Sequence, residues 1–174
     1  MYKKLGTIAL TGALTFSLAA CAETEVKEVS KNDAPKQEQK KEDKAANKVY
    51  KIGDTVEVNG LQLTFSSAKF VEPNEYIKPE KGKVLEIAFN AKNNGKKDVY
   101  FGTSELKIAD AEGNQFKEYF GGGDTFVNEN IAPGNQITNK MTFDVPEGAK
   151  FTGTFKPTFT FDEKSVKFEF DVAK

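Results

Sequence analysis

Few residue types in this 174-residue chain could carry out chemistry, because it has one cysteine and no histidine. Without imidazole, Ser-His-Asp and Cys-His nucleophilic catalysis are excluded, and one thiol makes neither an intrachain disulfide nor a Cys/His zinc site. The 26 Asp and Glu side chains remain as general acids or bases. Two carboxylates could hydrolyse a glycoside, but no spacing selects a pair. We therefore expect no enzyme and no cofactor, with a carboxylate-dependent hydrolase as an alternative.

The single cysteine, Cys21, follows a segment with the order of a secretory signal peptide. Lys3 and Lys4 precede an apolar stretch at residues 5–20, which is shorter than the ~20 residues of a membrane-spanning helix. The stretch ends Ser-Leu-Ala-Ala-Cys, which resembles the bacterial lipobox. The resemblance implies that residues 1–20 are removed and that lipid on Cys21 anchors the protein at the extracytoplasmic face of the cell membrane. The alternative is an ordinary secretory signal with a chance cysteine.

Residues 21–48 have the composition of a linker. Residues 22–48 mix seven acids with seven lysines, and only Val26 and Val29 are large apolar residues. Such a segment buries too little apolar surface to offset its ordering entropy, so we predict a disordered spacer. As a coil, these residues span roughly 30 Å. A transient charged helix over residues 37–46 is the alternative.

From residue 49 the pattern changes to short runs in which apolar and polar residues alternate. Leu61, Leu63 and Phe65 belong to one such run, and Asn59-Gly60 before them is a strong hairpin signal. We find no convincing 3.6-residue period of core length. Residues 49–174 are therefore predicted to form an all-β sandwich, with phenylalanines filling the space between its layers.

The order of these signals also resembles a known family. Its parts are Tyr50-Lys-Ile-Gly-Asp-Thr-Val56, Gly-Leu-x-Leu-Thr at 60–64, Lys92-Asn-Asn-Gly95, Leu106 to Gly113, Ile131-Ala-Pro-Gly134 and Met141 to Gly148. Together they resemble the telokin-like, immunoglobulin-like domain of unknown function found in bacterial surface lipoproteins. The resemblance implies a β-sandwich with an extracytoplasmic binding or scaffolding role, and it carries over no catalytic residue. Residues 72–82 and 121–123 look like local departures from the pattern.

One loop is a candidate binding site. Tyr119 and Phe120 precede three glycines, and Asp124 and Phe126 follow them. Aromatic side chains on either side of a flexible loop could grip a ligand at one end of the sandwich. In the alternative interpretation, which we favour, the aromatics are strand residues that face the core and the glycines are a plain connector.

Two further loops carry polar residues. Asp110, Glu112 and Asn114 resemble part of a calcium loop, but Asp, Gly and Asn are also typical of a hairpin turn, which is our prediction. The long loop at residues 72–82 contains Tyr76 and Ile77. These side chains could serve binding, or they could hold the loop against the sandwich, and the sequence does not favour either.

Charge and composition limit the classes of partner that the protein could bind. The formal net charge is −1, and all 25 basic residues are lysine, which does not favour nucleic-acid binding. We expect a membrane-anchored binding module for an envelope protein, a wall polymer or a small molecule, or else a structural accessory of an envelope complex. Without histidine, we expect no sharp stability change between about pH 6 and 8.

Overall fold

The computed structural model of the chain describes residues 26–29, 48–121, 126–158 and 165–172. The predicted signal peptide, Cys21, most of the predicted linker and Asp124 lie outside these ranges. Within them, the chain forms β-strands and one short 3₁₀ turn. In chain order these are β1 (Val26–Glu28), β2 (Val49–Lys51), β3 (Thr55–Val58), β4 (Leu61–Val71), β5 (Lys83–Asn93), β6 (Val99–Gly102), the 3₁₀ turn (Thr103–Glu105), β7 (Leu106–Ala109), β8 (Gln115–Glu118), β9 (Asn128–Ile131), β10 (Gln136–Val145), β11 (Lys150–Phe155) and β12 (Val166–Asp171).

The predicted hairpin at Asn59-Gly60 joins β3 to β4. Asn59 has a φ of 51° and Gly60 a φ of 83°, the left-handed conformation that both central residues of a type I′ turn require. Beyond the turn, Leu61, Leu63 and Phe65 are buried, whereas Gln62 and Thr64 between them are partly exposed. The two-residue period therefore places the apolar side chains of β4 on the core face.

The strands form one curled sheet and a separate pair. The order in the sheet is β1-β3-β4-β5-β10-β8-β7-β11-β12-β2, and β6 pairs with β9. β8 connects the two layers, because Lys117 and Glu118 pair with β10 while Gln115 and Phe116 pair with β7. The prediction of an all-β sandwich is confirmed, with the difference that its two layers belong to one sheet that curls over.

Phenylalanine rings fill the space between the layers. Phe65 of β4 meets Phe168 and Phe170 of β12 edge to face, with ring centroids 4.7 and 5.2 Å apart, a favourable arrangement for aromatic pairs. Phe101 of β6 contacts Phe89 of β5 at 5.0 Å, so the separate strand pair covers one side of the core. Each of these five side chains is at most 1% exposed.

The first strand comes from the predicted linker. Val26 pairs with Val58 and Glu28 with Val56, so β1 adds an antiparallel strand beside β3. The Val26 side chain is 1% exposed. The structure thus differs from the spacer predicted for residues 21–48, because three of those residues join the sheet. A three-residue strand is too short to show a period in the sequence.

Tyr50 of β2 is buried close to both edges of the sheet. Its ring centroid lies 5.7 Å from that of Phe168 and 5.0 Å from the Lys48 ammonium. Burial, together with the negative charges of Glu28 and Asp54, raises the pKa of Tyr50 to about 12. The fold therefore favours the neutral phenol. This contribution to stability is complete below the unfolded pKa of about 10 and is lost as the pH rises through the folded value.

We expect the Tyr50→Phe variant to resist alkali better than the parent chain. Between about pH 9 and pH 12, the parent should lose on the order of 2 kcal/mol of unfolding free energy that the variant retains. Urea denaturation at several pH values measures this difference. Tyr76→Phe is the matched control, because the Tyr76 side chain is 85% exposed. Identical pH profiles for Tyr50→Phe and the parent would contradict the prediction.

Candidate functional site

The predicted binding loop begins where β8 ends. The Tyr119 N–H donates to the Thr142 carbonyl at 2.8 Å, and the Thr142 hydroxyl donates to the Tyr119 carbonyl at 2.6 Å. These bonds hold the start of the loop against β10. The described chain continues to residue 121 and resumes at Phe126.

Tyr119 holds the long loop at residues 72–82 in place. Its side chain is 5% exposed. Its hydroxyl accepts a hydrogen bond from the Asn74 N–H at 2.8 Å and donates one to the Ile77 carbonyl at 2.5 Å. The Asp144 carboxylate of β10 anchors the same loop by accepting the backbone N–H groups of residues 80 and 81 at 2.6 and 2.8 Å. The Tyr119 hydroxyl is therefore engaged within the fold.

The apolar side chains of that long loop point outward. Tyr76 is 85% exposed and Ile77 is 49% exposed. The contacts that hold the loop come instead from Tyr119 and Asp144, which lie far from it in sequence. No local pattern in residues 72–82 could have revealed them, because they depend on the pairing of β8 with β10.

Phe120 and Phe126 face a groove on the surface. Their side chains are 68% and 55% exposed, which is unusual for large aromatic residues. The groove between them has a volume of about 710 Å³. Its other apolar lining residues are Leu106, Phe116 and Phe143. We call this feature, formed by those five side chains, the phenylalanine groove.

The rim of the phenylalanine groove is polar. It is lined by Lys107 of β7 and by Gln115, Lys117 and Glu118 of β8. An apolar floor with a polar rim is the arrangement of protein interaction surfaces. Two of the four predicted loop residues, Phe120 and Phe126, thus lie together on a candidate binding surface. The interpretation that we favoured, in which the aromatics face the core, is wrong for these two exposed rings, whereas Tyr119 is buried away from the groove.

Glu86 of β5 forms a charged cluster on the face beside Tyr119. Its side chain accepts a hydrogen bond from Lys140 Nζ at 2.7 Å, and Lys69 Nζ lies 3.5 Å from its other oxygen. Burial disfavours the carboxylate, but the hydrogen bond and charge of Lys140 and the charge of Lys69 outweigh burial and lower the pKa of Glu86. The two lysines balance the charge of the Glu86 carboxylate, and we assign the cluster a structural role. Sequence analysis missed it because the three residues come from different strands.

The candidate calcium residues form the turn between β7 and β8. The Asp110 carboxylate accepts the N–H groups of Glu112 and Asn114 at 3.1 and 2.8 Å, and the Asn114 side-chain amide at 2.9 Å. These hydrogen bonds lower the pKa of Asp110. The prediction of a hairpin turn is confirmed, because the strands on either side of it, β7 and β8, pair antiparallel.

The described ranges contain neither a cluster of metal-binding side chains nor a membrane-spanning helix. Among these residues, no group of three or more Asp, Glu, His or Cys side chains is arranged to hold a metal ion. Likewise, no helix within the described part of the chain is long and apolar enough to cross a membrane.

Comparison with known proteins identifies a family and a shared fold. Residues 50–166 match the sequence profile of the family described as "Domain of unknown function (DUF4352)". The ycdA protein of Bacillus subtilis subsp. subtilis strain 168, described as a candidate lipoprotein, is 18% identical with a TM-score of 0.56, over 64% of this chain and 36% of that one. The yjhA protein from Bacillus subtilis is 16% identical with a TM-score of 0.58, over 71% of this chain and all of that one.

These likenesses establish the fold and leave the activity open. The chain spans about a third of the length of the ycdA protein that it matches. No curated protein matches the sequence significantly.

Proposed function

The chain belongs to the family of DUF4352 domains of unknown function, and from that premise we propose that it is a lipid-anchored binding module on the extracytoplasmic side of the cell membrane. The lipobox-like residues 17–21 support the anchor, and the description of the ycdA protein as a candidate lipoprotein agrees with it. The telokin-like, immunoglobulin-like sandwich would then be the part that binds.

The phenylalanine groove is the observation that carries the binding role. Phe120 and Phe126 expose more than half of their side chains to water, although a packed position in the core would be more favourable. Covering the exposed part of each ring would recover roughly 1–2 kcal/mol. A partner that buries both rings therefore gains affinity from side chains that contribute little to the fold.

We propose that the occupant of the groove is a polypeptide segment of an envelope protein. The groove is more open than enclosed, which suits an extended chain better than an enclosed small molecule. Lys107 and Lys117 on its rim favour apolar side chains with an acidic neighbour, although Glu118 offsets part of that charge.

We further propose that the module is not an enzyme. In the described part of the chain, the buried carboxylates are Glu86 and Glu105. Glu86 is paired with lysines, and the Glu105 carboxylate accepts the backbone N–H groups of Gly102, at 3.1 Å, and of Thr158. Both groups thus have structural partners, whereas a glycosidase would need two carboxylates facing one substrate.

Photocrosslinking in intact cells tests the binding site. A photoreactive amino acid replaces Lys107 on the rim of the groove, and adducts are compared before and after the double change Phe120→Ser and Phe126→Ser. We expect a polypeptide adduct that falls at least about tenfold in the double variant, because roughly 2 kcal/mol of apolar contact is lost. Both rings are exposed, so the fold should be unaffected.

The matched control is the double change Tyr76→Ser and Ile77→Ser, which removes exposed apolar side chains from the loop at residues 72–82. It should leave the adduct unchanged. Equal adducts in all three proteins would contradict the assignment of the groove as the binding site. That result would favour the alternative that the protein is a structural accessory of an envelope complex. An adduct with wall glycan alone would contradict a polypeptide partner.

Fractionation tests the anchor separately. We expect Cys21→Ala to release the protein into the medium or to leave it unprocessed, because no thiol remains to receive the lipid. The parent chain should fractionate with membranes, since two or more acyl chains hold a protein stably in a bilayer. A Cys21→Ala protein of processed size in the membrane fraction would contradict the assignment.

A further inference from the structure

The pairing of β1 with β3 determines how far the sandwich can move from its anchor. Val26 is buried in the core, the Val29 N–H donates to the Thr55 carbonyl at 3.3 Å, and Glu28 forms an ion pair with Lys48 at 2.5 Å. Residues 26–29 are therefore held to the sheet.

Only residues 22–25 separate Cys21 from this strand. Five residue steps span at most about 18 Å when fully extended. The whole predicted linker, as a free coil, would span roughly 30 Å on average and could extend much further. With β1 in place, Val26 must stay within the shorter distance of the lipid on Cys21.

Val26 lies at one particular end of the sandwich. It pairs with Val58, next to the Asn59-Gly60 turn. The Asn94 N–H donates to the Gly60 carbonyl at 2.8 Å, and Asn93 bonds the turn at residues 132–135 through its backbone. We call this end, formed by residues 58–60, 94–98 and 132–135, the lysine end. The eleven-residue strands β4 and β5 lead from it to the loop at residues 72–82, about 35 Å away.

The exposed charges of the lysine end suit an anionic surface. Lys96 and Lys97 line a cavity of about 600 Å³ there with Asp98. Pro157 and Thr158 line the same cavity, and the neighbouring Lys156 is exposed beside the lysine end. Lysines held near a bilayer are attracted to anionic headgroups within a Debye length.

We propose that β1 fixes the orientation of the sandwich, so that the lysine end faces an anionic bilayer and the loop at residues 72–82 points away from it. The proposal rests on the lipid anchor proposed above. It predicts a defined height and direction for the domain, where a free 27-residue spacer would allow neither.

Energy transfer in vesicles tests the orientation with the full lipidated chain. Cys21 is the only native cysteine and its thiol is acylated, so a cysteine at Asn94 or at Glu112 can be labelled selectively. Glu112 lies in the exposed turn between β7 and β8, at the other end from the lysine end. Vesicles contain phosphatidylcholine and phosphatidylglycerol with an acceptor on the headgroups. We expect strong transfer from position 94 and several-fold weaker transfer from position 112.

Releasing β1 should abolish this difference. We expect Val26→Asp to make energy transfer from positions 94 and 112 equal. Val29→Asp is a matched change at a 36% exposed side chain, and it should preserve the difference in transfer between the two positions. A near-ultraviolet spectrum checks that Val26→Asp is folded. Equal transfer from positions 94 and 112 in the parent chain would overturn the proposal whatever the variants do. Mass spectrometry of Cys21 before reconstitution keeps a missing lipid distinct from a wrong orientation.

Discussion

We expect the Asn93→Leu variant to lose about 3 kcal/mol of unfolding free energy. Asn93 is completely buried at the end of β5. Its side-chain oxygen accepts the Gly95 N–H at 2.8 Å, and its amide donates to the Lys97 and Ile131 carbonyls at 2.7 Å each. Leucine has nearly the same shape and bonds none of the three backbone groups. Each buried unsatisfied group costs about 1–3 kcal/mol, and loop groups that regain water cost least.

Urea denaturation measures this loss, as a lower midpoint with an unchanged m-value. Asn94→Leu is the matched control, because the adjacent side chain is exposed and should change stability by no more than about 0.5 kcal/mol. If Asn93→Leu and Asn94→Leu have the same midpoint, the Asn93 side chain does not hold residues 95–97 and the end of β9 against β5.

We expect the Phe168→Ala variant to lose about 4 kcal/mol. The ring centroid of Phe168, in β12, lies 4.7 Å from that of Phe65, 5.7 Å from that of Tyr50 and 6.3 Å from that of Phe170. It therefore links β4 in one layer to β2 and β12 in the other. Truncating a buried phenylalanine removes its transfer free energy and leaves a cavity, which together cost about 3–5 kcal/mol.

Phe120→Ala is the control for that measurement, because it removes the same ring from a side chain that is 68% exposed. Its change should be within about 0.5 kcal/mol. Equal losses for Phe168→Ala and Phe120→Ala would show that Phe120 belongs to the core, and the binding surface proposed above would have to be abandoned.

The candidate site was only partly predictable from the sequence. Tyr119, Phe120 and Phe126 all look alike as aromatic residues beside glycines, yet Tyr119 is buried and the two phenylalanines are exposed. For the adjacent Tyr119 and Phe120, the difference depends on how the chain after β8 pairs with β10, because successive side chains of an extended chain point to opposite sides. The groove also needs Leu106 and Phe143 from two other strands, and local patterns do not specify such partners.

The sequence by itself determined the strand character of the domain, because a two-residue apolar period and a turn with positive φ at Asn59-Gly60 are local properties. It also excluded imidazole and disulfide chemistry, since composition alone decides those. Only the tertiary structure decided that β8 joins the layers into one curled sheet, that β1 is taken from the linker, and which aromatic side chains reach water. These features depend on pairing between residues far apart in the chain. The free energy of such pairing cannot be inferred from the residues of any one short segment.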